Sequence, residues 1–140
     1  MSKEVNILLV EDDKVDILAV KRAFQQCKVV NPLTVACDGV EALEILRGDN
    51  GKEKLKAPYI VILDLNMPRM NGLQFLKELR KDPQLDKSIV FVLTTSNSDK
   101  DRTSAYESHI AGYIAKADFD TAFIKTVSML EAYSKIIEFP

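Results

Sequence analysis

Only two cysteines occur among the 140 residues, and Cys27 and Cys37 lack the C-x-x-C spacing of a redox or zinc motif. In a chain expected to reside in the cytoplasm, both are expected to be reduced thiols. No apolar run approaches the roughly 20 residues that a membrane-spanning helix needs, so no membrane association is expected. The stretch from Met1 to Asn6 is polar, and the short apolar run after it stops at Glu11. It therefore lacks the basic start, long apolar middle and small-residue cleavage site of a secretion signal. There is no basic stripe either: 19 Lys and Arg face 21 Asp and Glu, for a formal net charge of −2, with the basic residues spread along the chain. Direct nucleic-acid binding is not expected from such a charge distribution. Internal repeats and low-complexity tracts are also missing, which leaves an ordinary globular fold.

What is present fits one compact domain. A hydrophobic share of 46% and a charged share of 29% are those of a folded globular protein, and 140 residues suffice for one sizeable core. The runs Val5–Val10, Tyr59–Leu63 and Ile89–Leu93 are short and barely alternate, as strands do when a parallel sheet is covered on both faces. Leu33–Ala36 and Tyr113–Ala115 read as shorter strands nearer the edges. Between them, Ile17, Val20, Phe24 and Cys27 form one helical stripe, and Leu73, Phe75, Leu76 and Leu79 form another. Asp38-Gly39 opens a helix toward Arg47, with Gly48 where a C-cap belongs. Ser96 to Asp99 offers N-cap chemistry for a polar helix ending near Ser108, and a last helix is expected from near Asp118 to Ile137. The Asp49–Pro58 connection is long, polar and expected to be exposed. Five β-α units in alternation predict an open parallel sheet with helices on both faces.

Ligands of such sheets bind beyond the carboxyl ends of the strands, so the residues that end each strand matter most. The first run ends in Glu11-Asp12-Asp13, the third in Asp64, the fourth in Thr94-Thr95 and the fifth in Lys116. Carboxylates gathered at one edge repel one another unless a cation offsets them, and Mg²⁺ is suited to a site that supplies a few carboxylates and leaves room for phosphate oxygens. Phosphoryl transfer asks for a nucleophile, a metal and hydrogen-bonding or cationic groups on the remaining oxygens. Asp64 fits the first role, the Thr94 hydroxyl and the Lys116 ammonium the last. Two readings of this constellation remain open: a signalling protein that holds the phosphoryl group, and a Mg²⁺-dependent phosphohydrolase with an aspartyl nucleophile. Such hydrolases commonly carry a second acid two residues after the nucleophile, where this chain has Asn66.

Leu9-Val10-Glu11-Asp12-Asp13, Leu63-Asp64-Leu65-Asn66-Met67-Pro68 with Asn71-Gly72, Leu93-Thr94-Thr95, and Gly112-Tyr113 ahead of Lys116 together resemble the receiver domains of two-component response regulators. The resemblance spans nearly the whole chain. It implies a flavodoxin-like (CheY-like) doubly wound sheet of five parallel strands in the order 2-1-3-4-5 with five helices. It implies one response regulatory domain over residues 1–140, phosphorylated on Asp64 by a sensor histidine kinase and signalling by a change of shape, not by turning over a substrate of its own. Asp12 would bind Mg²⁺ directly and Glu11 largely through water, with Asp64 and the backbone carbonyl of Asn66 completing the protein ligands; Mn²⁺ would substitute. Thr94 would move toward the phosphoryl group and Tyr113 would turn inward behind it. The output face would be the fourth helix, fifth strand and fifth helix. Thr95 stands where relatives often have a smaller residue and would narrow access. Ala117 follows Lys116 where receivers usually carry proline, and a cis bond before a non-proline residue costs about 3 kcal/mol, so a different loop geometry is expected there.

Taken singly, several of these residues have plainer readings. Asp13 reads as a helix-start acid, Tyr113 is also an ordinary core aromatic, Lys116 alone would be a surface lysine, and His109 reads as an exposed helix-end residue. A second, narrower resemblance is carried by Lys28-Val29-Val30-Asn31-Pro32, the long connection before Tyr59, Thr94-Thr95-Ser96 and the tail Ile136-Ile137-Glu138-Phe139-Pro140. These look like the stand-alone regulators paired with bacterial phytochrome histidine kinases. The last helix has one apolar stripe, Phe123, Val127, Leu130 and Ile137, that can face the sheet, and another, Met129, Tyr133 and Ile136. A helix apolar on two sides is usually buried on two sides, so residues 119–140 are expected to add the surface of a two-fold homodimer.

Overall fold

A computed structural model describes residues 4–95, 98–115 and 121–140, with side chains of the last helix described from residue 125 onward. Ten elements alternate strictly: β1 (Asn6–Val10), α1 (Lys14–Gln26), β2 (Leu33–Ala36), α2 (Gly39–Arg47), β3 (Tyr59–Leu63), α3 (Gly72–Lys81), β4 (Ile89–Thr94), α4 (Asp99–Glu107), β5 (Gly112–Ala115) and α5 (Thr121–Ile136). The five strands form one sheet in the order β2-β1-β3-β4-β5, every pair parallel. That is the flavodoxin-like order implied by the resemblance to receiver domains. The polar helix runs over Asp99–Glu107 as expected, while Asp118, the expected start of the last helix, lies outside the described residues.

The unalternating strands bury both faces. Leu8, Val10, Val61, Leu63, Val90 and Val92 face one core, built with Leu43 and Leu46 of α2, Phe75, Leu76 and Leu79 of α3, and Ala105 of α4. The intervening residues Ile7, Leu9, Ile60, Ile62, Phe91 and Leu93 face a second core with Val20, Ala23 and Phe24 of α1 and Val127 and Leu130 of α5. A residue facing either side of β1, β3 or β4 thus leaves water, and at about 25 cal/mol per Å² of apolar surface this two-sided burial drives the fold.

Caps set where the helices begin. Asp13 caps α1, accepting from the Val15 and Asp16 N–H groups at 2.8 and 3.3 Å. Asp38 caps α2, and Gly48 ends it in the left-handed region at φ 74°. Asn71 and Gln74 form a reciprocal capping box at α3, each side chain accepting from the other's backbone N–H at 3.0 Å. The 49–58 connection is largely exposed, as expected. No described helix is long and apolar enough to cross a membrane.

Candidate functional site

The register of the sheet brings the acids together. Val10 lies opposite Leu63 where β1 and β3 end, so the next residues, Glu11 and Asp64, emerge side by side. Both main chains stay in the ladder: the Glu11 N–H donates to the Ala36 carbonyl at 2.9 Å and the Asp64 N–H to the Val10 carbonyl at 3.0 Å. One carboxylate oxygen from each of Glu11, Asp12 and Asp64 falls within 4.8 Å of the others. Glu11 is 2% exposed and Asp64 6%, whereas Asp12 faces solvent. Two buried carboxylates beside a third are unfavourable without a cation, and an all-oxygen donor set of this kind suits a hard divalent ion. This is the place, between the first and third strands, where the strand order reverses and where ligands of doubly wound sheets bind. Asp13 stands apart as the α1 cap.

The loop that follows Asp64 is shaped by a glycine. A Cβ on Gly72 would lie 2.5 Å from the Asp64 carbonyl oxygen and 2.7 Å from the Leu65 Cα, so only glycine lets the first turn of α3 rest on this backbone. Asn66 in the same loop is exposed.

Thr94 ends β4 and is fully buried. It shares the parity of Val90 and Val92, and Tyr113, opposite Val92, packs against that same core, so Thr94 and Tyr113 lie on one face of the sheet. Thr95 is exposed. Lys116, Ala117, Ser96 and Asn97 lie outside the described residues. His109 is exposed just after α4, with a left-handed φ of 60°. Met129 is 41% exposed and Ile136 80%, but Tyr133 turns inward and meets Phe91 edge to face with ring centroids 5.0 Å apart. The expected outer stripe of α5 is therefore split, because an aromatic contact draws its middle member into the second core.

Two charged anchors escaped the sequence reading. Arg69 forks onto Asp38, Nε to Oδ2 at 2.7 Å and Nη2 to Oδ1 at 3.1 Å. Burial pushes the Asp38 carboxyl up, but the Arg69 hydrogen bond and the Glu41 N–H outweigh it and hold Asp38 below the usual range. Arg80, partly buried, donates to the carbonyls of Ser108, Asp86, Ser88 and His109 at 2.7 to 2.9 Å, joining α3 to both ends of the neighbouring chain segments. The cap at Asp38 was legible from Asp38-Gly39, but nothing local names Arg69 as its partner. The capping box at Asn71 also escaped that reading, although the three-residue spacing from Asn71 to Gln74 is its local mark.

A doubly wound sheet with buried acids where its strand order reverses, and a buried hydroxyl on the next strand, defines a flavodoxin-like α/β protein with a site suited to a divalent cation. Comparison with known proteins narrows this class. The response regulator receiver domain family matches residues 7–127. Over 137 residues the chain is 33% identical to response regulator Rcp1 of Synechocystis sp., covering 95% of this chain and 93% of that protein. A crystal structure of the Mn²⁺-bound form of response regulator Rcp1 is similar with a TM-score of 0.85 and 31% identity, each chain covered to 99%. The phosphorylated cyanobacterial phytochrome response regulator RcpA is similar with a TM-score of 0.87 and 30% identity, again over 99% of each chain. The chain belongs to the response regulator receiver family and is a receiver of phosphorelay signal transduction, a class that pairs with sensor histidine kinases.

Proposed function

We propose that Asp64 is the phosphoryl acceptor. An Asp64 carboxylate oxygen attacks the phosphorus of a kinase phosphohistidine, the N–P bond breaks, and an aspartyl phosphate forms. The observation that carries this reading is the cluster itself: a buried carboxylate, fixed by the β1 ladder, with Glu11 and Asp12 oxygens within 4.8 Å. Mg²⁺ is the proposed ion, with Mn²⁺ able to replace it; held by Glu11, Asp12, Asp64 and the Asn66 carbonyl, it would neutralise charge on the phosphoryl oxygens. The Thr94 hydroxyl and the Lys116 ammonium are assigned to those oxygens. Tyr113, which shares the face of Thr94, is the proposed follower that repacks when Thr94 moves. Thr95, exposed beside Thr94, tunes access.

On this reading residues 1–140 act as one receiver domain in the cytoplasm and assist their own phosphorylation and dephosphorylation, with no separate substrate to turn over. The position two residues after Asp64 is Asn66, which lacks the acid a phosphohydrolase would use there. Similarity to a phytochrome response regulator supports a phytochrome-type kinase as donor. The exposed Met129 and Ile136 on α5 support a homodimer through the 119–140 segment.

Incubation with Mg²⁺ and acetyl phosphate tests the acceptor. Intact-mass spectrometry is expected to detect a single phosphoryl adduct on the wild type and none on Asp64→Asn. An adduct of equal occupancy on Asp64→Asn would overturn the assignment.

A further inference from the structure

Two loops border the acidic site, and the structure joins them. The β2 strand ends by accepting the Glu11 N–H on the Ala36 carbonyl, and two residues later the chain reaches Asp38, buried at 6% exposure and capping α2. The other loop leaves β3 at Asp64, carries Asn66, and returns at Gly72, whose N–H donates to the Leu65 carbonyl at 3.0 Å. Its far limb meets the start of α2 twice. The Gly39 N–H donates to the Met70 carbonyl at 3.1 Å, and a Cβ on Gly39 would lie 2.7 Å from the Met70 Cγ, so the approach is close. One residue before Met70, Arg69 forks onto Asp38.

Arg69 makes this contact from a backbone conformation that L side chains rarely adopt, φ 57°. Non-glycine residues persist there only when their surroundings over-determine them. A bidentate guanidinium–carboxylate pair fixes both position and plane, which a lysine would not do. The Asp38 end is rigid, since its carboxylate also accepts the Glu41 N–H at 2.9 Å.

We propose that Arg69 is a positioning residue for the divalent-ion site: by clamping the 65–71 loop to the buried Asp38, it sets the main chain at Asn66 relative to Glu11, Asp12 and Asp64. The inference rests on the reading of those residues as ion ligands. Arg69 itself acts through Asp38 and the loop.

Mn²⁺ binding, followed by the electron paramagnetic resonance of the free ion at a temperature where every variant is folded, tests this without any phosphoryl transfer. Loss of a group that orients metal ligands typically weakens metal binding by about 10- to 100-fold, and Arg69→Ala is expected at the lower end of that range. Arg69→Lys is expected to fall between it and the wild type, because one ammonium cannot reproduce the fork. Asp38→Asn keeps a good α2 cap yet loses the charged partner, so it is expected to weaken binding like Arg69→Ala. The double variant is expected to be no weaker than either single one, as for residues acting through one contact. Wild-type affinity in both Arg69→Ala and Asp38→Asn, alongside lost affinity in Asp12→Asn, would overturn the clamp and leave the ion site standing. Wild-type affinity in Asp12→Asn as well would overturn the ion-site reading on which the clamp depends.

Discussion

The helices α3 and α4 cover the same face of the sheet, yet α3 buries Gly72, Phe75, Leu76 and Leu79 while α4 buries Ala105 alone. Their sequences explain the contrast. GLQFLKELRK places apolar residues on one stripe, whereas DKDRTSAYE is polar nearly all round. Termini differ as well. The first turn of α3 is closed by a capping box and rests on the Asp64 backbone through Gly72. Ser98 caps the first turn of α4, its hydroxyl accepting from the Asp101 N–H at 3.3 Å, but that turn buries no residue; past the other end Arg80 grips the Ser108 and His109 carbonyls. The side of the site that carries Asp64 is thus built into the core, whereas the helix beyond Thr94 buries a single residue, Ala105. Preorganised chemistry needs the first arrangement, and a moving readout is drawn from the less stable parts of a fold.

Side-chain truncation should expose this difference most strongly. Phe75→Ala removes a fully buried ring and is expected to cost about 3–5 kcal/mol. Tyr106→Ala on α4, where the ring is 49% exposed, is expected to change stability by no more than about 0.5 kcal/mol. Urea unfolding of the two variants checks both. Comparable losses would mean that α4 is as firmly packed as α3.

A smaller effect separates the clamped loop from the rest. The folded-state pKa of Asp38 is depressed, so its contribution to stability is fully present above the unfolded carboxyl value of about 3.9 and is lost as pH falls through the folded value. The stability gap between wild type and Asp38→Asn should therefore hold steady near neutral pH and narrow below about pH 4. Denaturant melts across that range measure it, and a gap that stayed constant would remove Asp38 from the paired state described for it.

Most of this architecture could be read from short-range pattern. Val5–Val10, Tyr59–Leu63 and Ile89–Leu93 announced two-sided strands because burial on both faces leaves no room for polar alternation. The acids followed from where those runs stop, and Asp38 and Gly48 marked α2 because caps are local chemistry. What stayed hidden involves partners distant in sequence. Arg69 and Asp38 are 31 residues apart, and Arg80 reaches Ser108 across 28. No periodicity specifies which carboxylate or carbonyl a given arginine will meet. Tyr133 was misplaced on the outer stripe of α5 for the same reason: helical spacing alone puts it near Met129 and Ile136, and only the position of Phe91 draws it inward.

Amide hydrogen exchange, followed by mass spectrometry before and after loading with Mg²⁺ and acetyl phosphate, tests the proposed link between Asp64 and the sparsely buried α4 side most directly. Phosphorylation of Asp64 is predicted to alter protection in peptides spanning 99–115 while peptides of β3 and α3, residues 59–63 and 73–81, change little, and Asp64→Asn is predicted to show neither change. Altered protection centred on α3, or the same response in Asp64→Asn, would contradict the account.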